Sequence, residues 1–211
     1  MAIELSSWRL TAKASALLAC MVCFVVLSSC TGDEVGNEDR SDAGSINQVN
    51  TAGRYKSIPC LACHGAEGIS DYDVWPNLAG QNAVYLAKQM HDFRAGRRHD
   101  PWMSPMAGPL TDQDIDDLAG YFSAAPTRAG GAVAVEPAVK QRAESCVPCH
   151  GIQGIIDNLF WPNLAGQNAR YLAKQLQDFR AGRRVDPVMT PMAQALTDQD
   201  IEALAAFYAS L

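Results

Sequence analysis

Two pentapeptides carry the chemistry legible in this 211-residue chain: Cys60-Leu61-Ala62-Cys63-His64 and Cys146-Val147-Pro148-Cys149-His150. Thiols three positions apart can each bond one vinyl group on a porphyrin edge. The histidine beside the second thiol then lies under the ring, where its imidazole can ligate iron. This is the attachment pattern of a c-type haem. One copy alone would also suit half a zinc site or a redox dithiol. Two copies in equivalent surroundings point to two covalent haem groups, one held by Cys60, Cys63 and His64 and the other by Cys146, Cys149 and His150.

A six-coordinate haem iron needs a second axial ligand opposite the histidine. The Pro-rich stretches 100–110 and 186–196 each offer two methionines, Met103 and Met106 in the first, Met189 and Met192 in the second. The remaining histidines, His91 and His99, align with Gln177 and Val185, so the two halves share matched methionines but no matched spare histidine. Methionine ligation of both irons is the economical reading. With both axial positions filled, the iron can only gain or lose an electron, and no substrate has a place to bind.

The alignment just used is an internal repeat. Shifting the chain by 86 residues lays 60–125 on 146–211 without a gap, with about 42 identities in 66 pairs. A gapless period of this length means two small domains of one kind. Domains of about 80 residues bury little apolar surface, and a haem gives each a large apolar centre. The domain plan is a leader at 1–29, a tether at 30–49, an N-terminal domain at 50–126, a linker at 127–136 and a C-terminal domain at 137–211.

Within each repeat, helices at about 51–58 and 137–145 precede the C-x-x-C-H. Trp75-Pro76 and Trp161-Pro162 restrict the backbone to a loop, where the indoles would cover a haem edge or fill the core. A helix over 81–95 puts Leu86, Met90 and Phe93 on one face and ends at Gly96; its copy uses Leu172, Leu176 and Phe179 and ends at Gly182. The pairs Arg97-Arg98 and Arg183-Arg184 just beyond could fork onto haem propionates or lie in a solvated turn. Thr111-x-x-Asp114 and Thr197-x-x-Asp200 read as capping boxes. They open closing helices with Ile115, Leu118 and Phe122, or Ile201, Leu204 and Tyr208, facing inward.

Arg9 and Lys13 precede an apolar run from Ala14 to Leu27, the pattern of an export signal. Leu27-Ser28-Ser29-Cys30 resembles a lipoprotein box, with cleavage before Cys30 and a lipid on its thiol. Cys20, Cys23 and Cys30 thus leave no spare cysteine in the mature domains. Residues 31–49 are acidic, lack apolar periodicity and read as a flexible tether. Without residues 1–29 the chain has 15 basic and 22 acidic residues, net −7: −4 from the tether, −3 from 50–126 and 0 from 127–211. This balance excludes a nucleic-acid binder and favours redox protein partners with basic docking faces. The N-terminal domain should present the more acidic face.

Taken together, C-x-x-C-H, P-N-L-A-G-Q-N-x-x-Y-L-x-K-Q, D-F-R-x-G-x-R, the methionine segment and L-T-D-x-D-I resemble the small class I cytochrome c fold. Two copies resemble the cytochrome c4 type of di-haem electron carrier, over nearly all of residues 50–211. The resemblance implies an all-α fold with two domains facing each other across a pseudo-twofold, propionate edges near the interface. It selects the methionine seven residues before the leucine of L-T-D, namely Met103 and Met189, with Met106 and Met192 as second choice. It further implies an electron carrier, not an enzyme, in the bacterial periplasm. Donors would be a quinol-oxidising complex or dehydrogenase, and acceptors a terminal oxidase or reductase. The alternatives are an electron-transfer subunit of a larger dehydrogenase or reductase, or a di-haem peroxidase or sulfur-oxidising enzyme. An enzyme would need an open iron site or a ligating cysteine.

Overall fold

The computed structural model describes residues 51–127 and 136–211. The leader, the tether with Cys30 and nearly all of the linker lie outside them. Among the described residues every regular element is helical, and the two repeats build the same arrangement.

In the first repeat, residues 51–57 form α1. A single 3₁₀ turn, Ile58–Cys60, leads into the short α2, Leu61–His64. A long loop follows, then α3, Ala83–Arg94, α4, Met103–Ala107, and α5, Asp112–Ala124. The second repeat gives α6, Pro137–Ala143, α7, Val147–His150, α8, Ala169–Arg180, α9, Met189–Gln194, and α10, Asp198–Ser210. The α3 helix starts two residues later than its apolar pattern suggests. Gln81 and Asn82 turn their amides outward to the other repeat, and Asn82 has an extended ψ of 125°. The methionine segments, expected as loops, contain the short helices α4 and α9. The leading turn is tied by Asp100 and Asp186, whose Oδ1 atoms accept from the Met103 and Met189 N–H groups.

Both capping boxes form. Thr111 Oγ1 accepts from the Asp114 N–H at 3.1 Å while Asp114 Oδ2 accepts from the Thr111 N–H at 2.9 Å, and Thr197 and Asp200 do the same at 3.1 and 3.0 Å. These bonds satisfy helix N–H groups that otherwise lack partners. The closing helices pack on α3 and α8. Leu86, Leu118, Ala119 and Phe122 form the first buried cluster, flanked by Cys60, Leu61, Leu78 and Met90. Leu172, Ala173, Ile201, Leu204, Ala205 and Tyr208 form the second with Ala143, flanked by Cys146 and Leu164. Each cluster is small and borders its cysteine.

The chain reverses directly after each histidine. Gly65 and Gly151 have φ of 76° and 77°, and a Cβ there would lie 1.7 or 1.8 Å from the carbonyl oxygen of Ile69 or Ile155. Only glycine fits so tight a return at positive φ.

Candidate haem sites and the surface between them

Each histidine is fixed in one orientation. His64 is 5 % exposed, and its Nδ1 lies 2.9 Å from the carbonyl oxygen of Pro76; His150 is equally buried, with Nδ1 2.9 Å from that of Pro162. A carbonyl can only accept, so Nδ1 carries the proton and Nε2 keeps the lone pair a metal requires. Burial lowers both imidazole pKa values, and the carbonyl bond offsets this only in part. Both rings are therefore neutral near pH 7, the ligating form. The Trp-Pro dipeptides thus aim the histidines through their proline carbonyls. Trp75 stacks edge-on against Tyr72, and Trp161 stays 37 % exposed.

The four thiols are half-buried and unpaired with one another. Burial, then the neighbouring Cys63, raises the pKa of Cys60. Among the described residues no three His, Cys, Asp or Glu side chains converge so as to hold a metal ion. The Cys and His donors thus do not meet at one point, as zinc would demand. Spread thiols, a buried imidazole with free Nε2 and a small apolar cluster behind them fit haem.

On the methionine side, Met103 and Met189 are half-buried at the first position of α4 and α9, whereas Met106 and Met192 are 44 % and 39 % exposed. Two arginines the sequence motif contained, but whose part was not legible, clamp these segments. Arg94 donates to the Leu110 carbonyl at 2.7 Å and pairs with Asp112. Arg180 donates to the Leu196 carbonyl at 3.0 Å and pairs with Asp198. The α3 and α8 helices thereby hold the far end of each methionine segment.

The Arg-Arg pairs divide their work, which corrects the reading of a solvated turn. Arg97 and Arg183 are exposed and bridge to Asp92 and Asp178 at 2.8 Å. Arg98 and Arg184 instead enter the contact between the repeats. Arg98 lies over the Phe93 ring and donates to Gln89 at 2.7 Å, Gln175 at 2.7 Å and the Tyr171 hydroxyl at 3.1 Å. Arg184 mirrors it over Phe179, donating to Gln175, Gln89 and Tyr85 at 2.8, 2.8 and 3.0 Å. The two guanidiniums thus share Gln89 and Gln175 across a pseudo-twofold, each adding one tyrosine of the other repeat, and all four acceptors are neutral. Burial would raise the Tyr171 phenol pKa, but Arg98 and Arg184 outweigh it and bring it down.

The rest of the interface is made by the repeated Asn and Gln. The Asn77 N–H donates to Gln167 Oε1 and Gln167 Nε2 donates back to the Asn77 carbonyl, both at 2.8 Å. Asn163 and Gln81 make the same exchange at 2.8 Å. Asn82 donates to the carbonyls of Asn158 and Trp161, and Asn168 to those of Tyr72 and Trp75. Buried amides of this kind are stabilising only when every group is paired. The sequence signal was present, as three polar residues kept in both copies of P-N-L-A-G-Q-N.

Two all-helical domains, each setting a C-x-x-C-H against a small apolar cluster and carrying a methionine segment, define a c-type cytochrome with two haem sites. The cytochrome c family model matches residues 55–125 and again 136–211. Cytochrome c4 of Pseudomonas aeruginosa is 38 % identical over 175 residues, 76 % of this chain and 87 % of that protein. A thiosulfate dehydrogenase electron acceptor of Stutzerimonas stutzeri is 34 % identical over 172 residues, 74 % of this chain and 80 % of that one. The crystal structure of reduced recombinant cytochrome c4 from Pseudomonas stutzeri superposes with a TM-score of 0.69 at 36 % identity, covering 77 % of this chain and 98 % of that one. The chain belongs to the cytochrome c family, as a di-haem electron carrier of the cytochrome c4 type with two covalently bound haem groups. It is an electron-transfer protein, not an enzyme, and its partners are redox proteins.

Proposed function

We propose that Cys60 and Cys63 bind one haem and Cys146 and Cys149 the other, with axial pairs His64–Met103 and His150–Met189. The observation that carries this reading is the pair of Nδ1-to-proline-carbonyl bonds, which leave Nε2 of each buried histidine for iron. The half-buried position of Met103 and Met189 supports them over the more exposed Met106 and Met192. Bound haem supplies one-electron chemistry at iron. The protein would orient the imidazole, set the first thiol of each pair against the apolar cluster and offer a methionine sulfur as the second ligand. Arg98 and Arg184, two interfacial guanidiniums whose side-chain hydrogen-bond partners among the described residues are neutral, suit the propionates of the two groups. Haem groups held by these residues, one in each domain, would supply two one-electron sites in a single chain.

The domain limits 50–126 and 137–211, joined by a linker at 127–136, are supported by the two matched segments. The mature chain is exported to the bacterial periplasm and held to a membrane by a lipid on Cys30, the acidic tether giving it reach. Its partners carry basic docking faces, donors being a quinol-oxidising complex or dehydrogenase and acceptors a terminal oxidase or reductase. Among the described residues no helix is long and apolar enough to cross a membrane. A second reading, electron acceptor of a dehydrogenase carried on another chain, is favoured by the similarity to the thiosulfate dehydrogenase electron acceptor.

The test is Met103→Ala. The weak methionine–iron absorption of the oxidised protein should fall by half, and the N-terminal haem potential should drop while the other holds. An unchanged spectrum would assign the ligand elsewhere. Cys30→Ser should release the protein from membranes, and retention would refute the lipid anchor.

A further inference from the structure

The repeats differ in their buried hydroxyls: Ser57 and Ser70 of the first align with Ala143 and Ile156 of the second, and one phenol lies at an inner position in the second repeat only. Tyr121-Phe122 of the first aligns with Phe207-Tyr208 of the second, so the phenol has moved from the outer position to the inner one. Phe122 and Tyr208 are buried equivalents, 3 % and 4 % exposed. Their rings pack against Gly68 and Gly154, where an added Cβ would come within 2.7 and 3.0 Å. Their carbonyls accept the N–H groups of Gly80 and Gly166. The glycine packing and the carbonyl bonds match at the two positions, and the oxygen does not.

That oxygen is unusual. Among the described residues, Tyr208 Oη is the buried side-chain nitrogen or oxygen without a hydrogen-bond partner, and such an omission costs about 1–3 kcal/mol. Native proteins rarely leave a buried hydroxyl this way unless a partner is still to come. The cluster containing Tyr208 is bordered by Cys146. After burial, it is the Cys146 side chain that perturbs the Tyr208 hydroxyl, raising its pKa. In the first repeat the matching sulfur, Cys60, borders the cluster containing Phe122, which has nothing to donate.

We propose that Tyr208 Oη donates a hydrogen bond to the thioether sulfur of Cys146 and so holds the C-terminal haem at a higher reduction potential than the same pocket with phenylalanine would. The inference rests on haem attachment through Cys146. A thioether sulfur has no hydrogen and can only accept, so the phenol must donate. Its positive dipole end then points at the porphyrin edge and favours the electron-rich reduced state. Hydrogen bonds near the prosthetic group are a recognised lever on potential. At this position the sequence sets the two sites apart by one oxygen.

The experiment compares wild type, Tyr208→Phe and Phe122→Tyr, full-length and haem-loaded. Haem stoichiometry is measured first: two groups per chain in each variant keeps attachment separate from tuning, and loss of a group in wild type would refute the attachment itself. Redox titration then follows haem-methyl resonances, assigned by their proximity to the residue 208 ring. Tyr208→Phe should lower the C-terminal midpoint and leave the N-terminal one in place. Phe122→Tyr should raise the N-terminal midpoint alone. Unchanged midpoints in Tyr208→Phe, or equal shifts of both haems, would overturn the proposal.

Discussion

The two domains repeat the contacts that orient their histidines and join them to each other, and differ where the first helix meets the closing helix. The His–carbonyl bonds, the methionine segments, the Arg clamps, the Asn–Gln exchanges and the capping boxes recur pair by pair. The joint between the first helix and the closing helix does not. In the first domain, Gly53 lies so close under α5 that a Cβ would come within 2.3 Å of the Asp117 carbonyl oxygen and 2.6 Å of Tyr121 Cβ. Lys56 sits between Asp114, at 2.8 Å, and Asp117. In the second, Val139 replaces Gly53 and a single bridge, Arg142–Asp200 at 3.0 Å, replaces the two. The difference teaches that duplication preserved the contacts that orient the histidines and pack the copies, and let this joint and its charge drift.

The largest effect should come from removing the matched guanidiniums. Arg98→Ala leaves Gln89, Gln175 and Tyr171 short of a charged donor at the interface and should cost about 2–3 kcal/mol. Arg184→Ala should cost the same. Because both share Gln89 and Gln175, the double variant should depart from additivity, as chemical denaturation of the four proteins would reveal. Simple additivity would mean that the two arginines act separately.

Next is Gly53→Ala, which forces a methyl group against backbone and should destabilise the N-terminal domain by about 1–3 kcal/mol. Val139→Ala, at a half-buried site, should cost less than about 1 kcal/mol. Equal costs would erase the proposed difference between the joints.

The smallest effect is in acid. Asp112, Asp114 and Asp117 in the first domain are held below the usual carboxylate range chiefly by hydrogen bonds, from Arg94 for Asp112 and from Lys56 for the other two. In the second domain the closing helix offers Asp200, lowered first by its bonds with Thr197. Asp92 and Asp178 are lowered alike, Lys and Arg partners outweighing burial. A folded-state pKa below the unfolded value near 4 gives stability that is present above pH 4 and lost as pH falls through and below it. The N-terminal domain should therefore lose more stability between about pH 5 and pH 2, read as domain-resolved hydrogen exchange. Lys56→Met should narrow the gap. A gap unchanged by that substitution would place its origin outside this cluster.

Much of this was legible beforehand because the chemistry is local. The spacing in Cys60-x-x-Cys63-His64 and in Thr111-x-x-Asp114 is itself the geometry, and the apolar periodicity fixed which faces of α3 and α5 turn inward. What the sequence did not yield is non-local. Nothing in Arg98 says that its partners are Gln89, Tyr171 and Gln175. The turn of Pro76 back to His64 joins residues 12 apart through a carbonyl, an atom every residue has. The inner hydroxyl of Tyr208 was in plain view as a swap with Phe207, yet it gains meaning only once its missing partner is known.

The central claim is that both irons are closed above and below, so that the chain conducts electrons and binds no substrate. Carbon monoxide added to the fully reduced, two-haem protein at neutral pH tests it directly. The account predicts that the visible spectrum stays unchanged at both haems. Ready formation of a carbon monoxide adduct at either one would contradict it and mark that iron as a site for catalysis.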